Sequence, residues 1–188
     1  NRKKILVITE IKHIKNLIRL LNQVGEVTYL EKPNFNQVKK IINKYDAIFT
    51  NPNKSKIFIG KDLLNNTKIR AVCTASTGLN HIDTSFCKKK KIEVISLTKE
   101  KKIIDKISST AEMALTLTLS SLRNVITSSQ SVLKGSWDYT KYIGRQFDSL
   151  TIGIIGFGRL GKMYAKYCLA MGAKIIVYDP FIKREKNK

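Results

Sequence analysis

Cysteine is scarce in this sequence. Cys73, Cys87 and Cys168 are odd in number, widely separated, and form no C-x-x-C pair. That excludes a disulfide framework and a thiolate metal site, and leaves buried or incidental thiols. Long apolar runs are missing as well. None approaches the roughly 20 residues that span a bilayer, so no membrane partner is expected. After Asn1-Arg2-Lys3-Lys4 the apolar stretch runs only from Ile5 to Ile8, short of a secretory h-region of about 7–15 residues, and the expected location is cytoplasmic. Acid is in deficit: 14 Asp and Glu stand against 35 Lys and Arg, a net charge of +21. Such an excess raises the question of nucleic acid. Arginine and interleaved aromatics, however, are what is missing. Of the basic residues 28 are Lys and 7 are Arg, scattered apart from the run Lys88–Lys91. Base reading favours bidentate Arg, and single-strand binding favours stacked aromatics. The expectation is a solvated basic surface with no nucleic-acid partner.

What is present is a rhythm of short apolar strands and helical patterns, with 43% apolar residues to bury. This is the pattern of an α/β chain with a parallel sheet. Strands are expected at Lys4–Thr9, Val27–Leu30, Ala47–Thr50, Ala71–Ala75 and Glu93–Leu97. Between them, Ile14, Leu17, Ile18, Leu21 and Val24 mark one helix face, closed by Gly25 as a C-terminal cap. Asn36 is read as the cap of a helix through Asn43, and shorter helices are expected around Asp62–Leu64 and Asp83–Lys89. Five such units in about 100 residues give a flavodoxin-like layout. The charged stretch Thr98–Lys106 breaks the rhythm. Ser108-Ser109-Thr110-Ala111-Glu112 then reads as a helix start with acid in the first turn. That helix is expected to run to about Ile126, largely buried because its apolar side is broad. The domain boundary is placed at about residue 107, giving domains 1–107 and 108–188. The basic tail Lys183–Lys188 is the one low-complexity tract.

The most specific motif is TIGIIGFGRLG followed by KIIVYDP. Gly156-x-Gly158-x-x-Gly161 sits between an apolar strand, Thr151–Ile155, and a helix. On that helix Leu160, Met163, Tyr164, Tyr167, Cys168 and Met171 line one face. A second strand, Lys174–Asp179, ends in an acid 18 residues after Gly161. In a dinucleotide site Gly156 permits the tight turn, Gly158 lets backbone approach a pyrophosphate, and Gly161 lets helix and strand pack closely. The helix start offers free N–H groups to phosphate. Asp179 can accept hydrogen bonds from the adenosine ribose and repels a 2′-phosphate, so NAD is expected over NADP. The bland alternative is a βαβ turn that merely needs its glycines.

With these residues in view, the whole chain resembles the D-isomer-specific 2-hydroxyacid dehydrogenases, which include phosphoglycerate, glycerate, lactate and formate dehydrogenases. Four blocks in order carry the resemblance: Ser76-Thr77-Gly78-Leu79-Asn80-His81-Ile82-Asp83; Thr110-Ala111-Glu112; Gly135-Ser136-Trp137; and Leu150 through Gly161 with Tyr178-Asp179-Pro180. It implies a flavodoxin-like substrate domain followed by the start of a Rossmann NAD-binding domain, with the active site in the cleft between them. Ser76, Thr77 and Gly78 would hold the substrate carboxylate on backbone N–H groups. Arg159 and Leu160 would offer N–H groups to the pyrophosphate. Thr110 would lie near the nicotinamide or simply cap its helix, and Trp137 would be a packing anchor.

The implied activity is hydride transfer between NAD and a small 2-hydroxy or 2-oxo acid, phosphoglycerate dehydrogenase-like, in a protein that is a homodimer at full length. An NAD-sensing corepressor of the same superfamily is the rival. A basic cleft with Lys54 nearby would suit a phosphorylated acid. Two departures stand out. The segment Leu97–Ser109 is longer and more charged than in relatives and has no Pro. The catalytic Arg, Glu and His of the family lie beyond the second Rossmann strand. The chain starts at Asn rather than Met and stops at Lys188, so a fragment without activity of its own is expected. A nucleotide domain with two strands would leave its sheet and long helix short of neighbours. His13, in a polar stretch, and His81, beside the substrate loop, do not match the catalytic position; His81 is read as a cleft residue or a surface helix residue.

Overall fold

A computed structural model describes residues 2–52 and 57–182. Lys54 and the tail Lys183–Lys188, both singled out above, lie outside the described residues. The chain divides into two compact units, Asn1–Ile104 and Asp105–Lys188.

The first unit alternates strand and helix in the order β1 (Lys4–Val7), α1 (Leu17–Val24), β2 (Glu26–Tyr29), α2 (Phe35–Ile41), β3 (Ala47–Thr50), α3 (Lys61–Leu64), β4 (Ala71–Thr74), α4 (Thr84–Lys89), β5 (Glu93–Ile95) and α5 (Lys101–Ile104). The five strands are all parallel and lie in the order β2-β1-β3-β4-β5, the flavodoxin-like order expected from the sequence. The strand period of two sorts their side chains. Leu6, Ile8, Ile48 and Val72 point into one core with Val38, Ile42, Leu63, Leu64 and Cys87. Ile5, Val7, Ala47 and Phe49 face the other side with Leu17, Ile18 and Leu21 of α1. Each fully buried Leu, Ile or Val contributes about 1.5–3 kcal/mol relative to exposure.

Local details depart from the sequence reading. β3 has the expected bounds, β1, β4 and β5 end one or two residues early, and β2 is shifted one residue toward the N-terminus. Ile14 lies before α1 and Val24 lies off its packed face, 45% and 72% exposed. Gly25 does cap α1, its N–H donating to Leu21, but with an extended backbone at φ −164°. Glycine is needed there because a Cβ would come within 2.5 Å of the Lys3 carbonyl oxygen. The cap of α2 is Asn34, not Asn36. Asn34 Oδ1 accepts from Gln37 N–H and Gln37 Oε1 accepts from Asn34 N–H, a reciprocal capping box. The charged stretch after β5 folds into a 3-10 turn, Leu97–Lys99, and α5.

The second unit contains α6 (Ser109–Leu122), α7 (Val125–Leu133), a 3-10 turn (Tyr139–Tyr142), β6 (Thr151–Ile155), α8 (Arg159–Ala170) and β7 (Lys174–Tyr178). β6 and β7 pair in parallel from Thr151↔Lys174 to Ile155↔Tyr178. Leu115, Leu119 and Leu122 of α6 pack with Phe147, Ile152, Tyr164, Cys168 and Ile175, and Thr118 Oγ1 lies 2.7 Å from the Tyr164 hydroxyl of α8. The single buried helix expected from Ser108 to Ile126 is two helices, broken at Asn124 with φ 52°. It is also not largely buried. Met113 and Leu117 are 57% and 61% exposed, because α6 lays only one stripe on α8 and no described element covers the rest. Ser108 makes no capping bond to the helix backbone; its hydroxyl donates to the Glu112 carboxylate instead.

Candidate functional site

The glycine loop joins β6 to α8. Gly156 takes φ +92°, a left-handed turn that L side chains rarely adopt, while a Cβ at Gly161 would sit 2.1 Å from the Gly156 carbonyl oxygen. These are the turn and the close helix–strand packing that the spacing implied. Gly158, the N-terminal boundary of α8, has nothing within 4 Å of where a Cβ would stand. The first bond into the helix is Lys162 N–H to the Gly158 carbonyl at 3.0 Å. The N–H groups of Gly158, Arg159 and Leu160 therefore donate to no acceptor among the described residues, as at any helix start. The result is an open, backbone-lined cradle of unspent donors at the positive end of a helix dipole, which fits a pyrophosphate.

Asp179 follows β7 and is bonded to that loop. Its Oδ2 accepts the Phe157 N–H at 2.6 Å and its Oδ1 accepts the Phe181 N–H at 2.9 Å. The Phe181 and Phe157 N–H groups, with the Lys162 ammonium nearby, hold its carboxyl below the usual carboxylate range. An ionised carboxylate keeps further lone pairs on both oxygens, so fastening the loop leaves it able to accept from a sugar. The Arg159 guanidinium donates to the Ile107 carbonyl at 2.6 Å, tethering the start of α8 to the lead-in of α6. The first turn of α6 carries Thr110, which is exposed and makes no cap. Trp137, expected as a packing anchor, is 86% exposed. It stands over a shallow groove shared with Val132, Tyr139 and Tyr142, and its short neighbouring turn offers no core to enter.

In the first unit, Ser76, Thr77 and Gly78 form the loop that leaves β4 at its C-terminal end, where open α/β sheets bind ligands. The loop is held by its carbonyls. Ser76 O accepts Leu97 N–H at 3.4 Å, Thr77 O accepts the Thr98 hydroxyl at 3.1 Å, and Gly78 O accepts the Ser76 hydroxyl at 2.7 Å. The N–H groups of Thr77 and Gly78 donate to nothing among the described residues.

Two family profiles match. The D-isomer specific 2-hydroxyacid dehydrogenase catalytic domain covers residues 5–141, and the NAD binding domain of the same family covers residues 115–188. The chain belongs to the D-isomer specific 2-hydroxyacid dehydrogenase family. It is similar to the D-3-phosphoglycerate dehydrogenase of Methanocaldococcus jannaschii, 28% identical over 181 residues that make up 96% of this chain and 33% of that protein. The hydroxypyruvate reductase of Thermotoga maritima is 32% identical over 158 residues, 82% of this chain and 48% of that protein. The D-lactate dehydrogenase of Aquifex aeolicus, solved with NAD and lactic acid, aligns with a TM-score of 0.75 at 26% identity, covering 96% of this chain and 52% of that one. The NAD-dependent formate dehydrogenase of Staphylococcus aureus shares the fold, with a TM-score of 0.78 at 22% identity over 95% of this chain and 56% of that one. The chain spans about a quarter to a half of the length of the curated relatives it matches.

For a 2-hydroxyacid dehydrogenase chain, three residues beside the Ser76–Gly78 loop escaped the sequence reading in whole or in part. Thr74 Oγ1 lies 2.8 Å from Ser76 Oγ, 3.1 Å from His81 Nε2 and 3.4 Å from the side chain of Asn51. Thr74 is a buried polar residue. His81 is in no helix and is half-buried, which corrects its reading as a surface helix residue. Burial pushes its pKa below the ordinary histidine value. The signal that pointed to it was sequence proximity to the loop. Nothing in the sequence joined Asn51 or Thr74 to it. His13 is exposed.

Proposed function

We propose that the full-length protein carrying this chain is an NAD-dependent oxidoreductase that moves hydride between NAD and a 2-hydroxy or 2-oxo acid, as a phosphoglycerate dehydrogenase does. The observation that carries the reading is the run of unspent N–H donors at Gly158, Arg159 and Leu160 above an ionised Asp179. Bound there, the nicotinamide coenzyme would supply the hydride. The chain's own part is binding and orientation. Gly156 and Gly161 shape the turn, Gly158 to Leu160 take the pyrophosphate, Asp179 accepts from the adenosine ribose, and Thr110 lies toward the nicotinamide. The free N–H groups of Thr77 and Gly78, with Ser76 bracing the turn, take the acid's carboxylate. His81 has its Nε2 engaged with Thr74, so neither histidine is assigned the proton transfer that carbonyl reduction also needs.

The same proposal places the protein in the cytoplasm as a homodimer. Its three cysteines are free thiols, which suits a reducing compartment. The exposed apolar residues of α6 and α7, Leu117 and Leu133 among them, are where a second copy would pack. No helix among the described residues is long and apolar enough to cross a membrane.

Titration of the full-length protein with NAD and NADP tests the cofactor assignment. NAD binds more tightly, and Asp179→Ala weakens NAD by about ten- to a hundredfold, the loss of a good hydrogen-bonding group, while narrowing the gap to NADP. Tighter binding of NADP by the wild type overturns the role given to Asp179. Intact NAD binding with no turnover on any acid favours the regulatory rival.

A further inference from the structure

The hydroxyls beside the acid loop contain a proton count that fixes their direction. Ser76 has one hydroxyl proton, and the Gly78 carbonyl oxygen 2.7 Å away can only accept it. The 2.8 Å contact between Ser76 Oγ and Thr74 Oγ1 must then use the Thr74 proton. Having given its only proton, Thr74 must receive at its 3.1 Å contact with His81 Nε2, so Nε2 carries the hydrogen. Asn51 Oδ1 is a second acceptor for the Thr74 proton but lies farther off, at 3.4 Å, so the 2.8 Å contact with Ser76 takes it; on either course Thr74 has no proton left for His81.

The other end of the ring agrees. A neutral imidazole protonated on Nε2 has a bare Nδ1, and His81 Nδ1 is buried without a partner among the described residues. A second N–H placed there would have no acceptor. The ring is anchored from its backbone as well. The Ile59 N–H donates to the His81 carbonyl at 2.8 Å, and Asp83 N–H donates back to the Ile59 carbonyl at 3.0 Å. The buried Ile82 lies between them.

We propose that His81 is a positioning residue. It drives a one-way chain of hydrogen bonds, from Nε2–H to Thr74, from the Thr74 hydroxyl to Ser76 and from the Ser76 hydroxyl to the Gly78 carbonyl, that holds the loop with its Thr77 and Gly78 N–H groups unspent. This rests on the reading of Ser76–Gly78 as the acid-binding loop. The three consecutive carbonyls of that loop are each tied by a different donor: Leu97 N–H, the Thr98 hydroxyl and the Ser76 hydroxyl. Only the last depends on His81. Its loss frees the Gly78–Leu79 peptide, which adjoins the peptide bearing the Gly78 N–H, and so loosens the loop on that side.

The test uses the full-length enzyme and its best 2-oxo acid. His81→Ala and Thr74→Val each raise the KM for the acid about five- to tenfold, while kcat and NAD affinity stay within about twofold, the signature of a lost neutral hydrogen bond in the ground-state site. The double variant is no worse than the worse single variant, because both cut one chain. His81→Gln, which keeps an N–H donor, recovers most of the loss. Amide hydrogen exchange of the segment 76–80 speeds up in His81→Ala, and nitrogen NMR of the wild type shows the Nε2–H tautomer. Unchanged exchange, an Nδ1–H tautomer, or multiplying effects in the double variant overturn the chain. Faster exchange with an unchanged acid KM upholds the chain and overturns the assignment of the loop to the acid, so the two readings fail separately.

Discussion

At Gly78 the structure leaves open space where a side chain would go, with nothing within 4 Å of the point a Cβ would occupy and no left-handed backbone. The residue is therefore not glycine for the sake of the fold. Gly78→Val is expected to raise the KM for the acid by at least about tenfold by crowding the carboxylate, a cost on the order of 1–3 kcal/mol, and to leave NAD affinity and the melting temperature near wild type. Steady-state kinetics and a thermal melt on the same sample check this, and an equal loss of NAD binding contradicts it. Gly161 is the opposite case, since a Cβ there meets the Gly156 carbonyl oxygen. The glycine loop was legible in the sequence because its residues are contiguous and Gly156 and Gly161 each have a steric reason. The bond of Asp179 to Phe157 N–H across 22 residues was not legible, because it exists only once β6 and β7 are paired. Trp137 was misread for a related reason: an aromatic in a turn packs only if a core lies beside it.

Among the elements, the parallel sheet was readable because buried strands are near-continuous apolar runs between turn signals. The division of the long helix was not, because neither Gly nor Pro marks it. The break is at Asn124, a non-glycine residue with φ 52°, and Asn is the residue that tolerates this conformation best after glycine. Asn124→Gly is accordingly expected to be neutral, while Asn124→Ala destabilises by about 1–2 kcal/mol. Chemical denaturation of both variants checks this. If Ala is the more stable of the two, the break between α6 and α7 is not maintained by the left-handed residue. The capping box at Asn34 was within reach of the sequence, since Asn34-x-x-Gln37 has the spacing, but the neighbouring Asn36 offered a competing cap.

At the scale of the whole molecule, the ion pairs among the described residues lie mostly at exposed positions, such as Lys12 with Glu31 at 3.0 Å, and these add little stability. A clearer electrostatic dependence comes from His81. In the unfolded chain its ring titrates near 6.5, and burial lowers that value in the folded state. Between the two values the unfolded chain binds more protons, so stability rises with pH across that window and is lost as pH falls below about 6.5. Melting curves against pH are expected to show this slope in wild type and a shallower one in His81→Gln; identical slopes contradict the burial of the ring. The central claim, an NAD-dependent oxidoreductase acting on 2-hydroxy and 2-oxo acids, is tested most directly by following NADH oxidation by the full-length protein with a panel of 2-oxo acids, phosphorylated ones included. Turnover on the order of 1–10³ s⁻¹ is expected with at least one acid, with NADH preferred to NADPH. Absence of turnover with every acid, or a preference for NADPH, contradicts it.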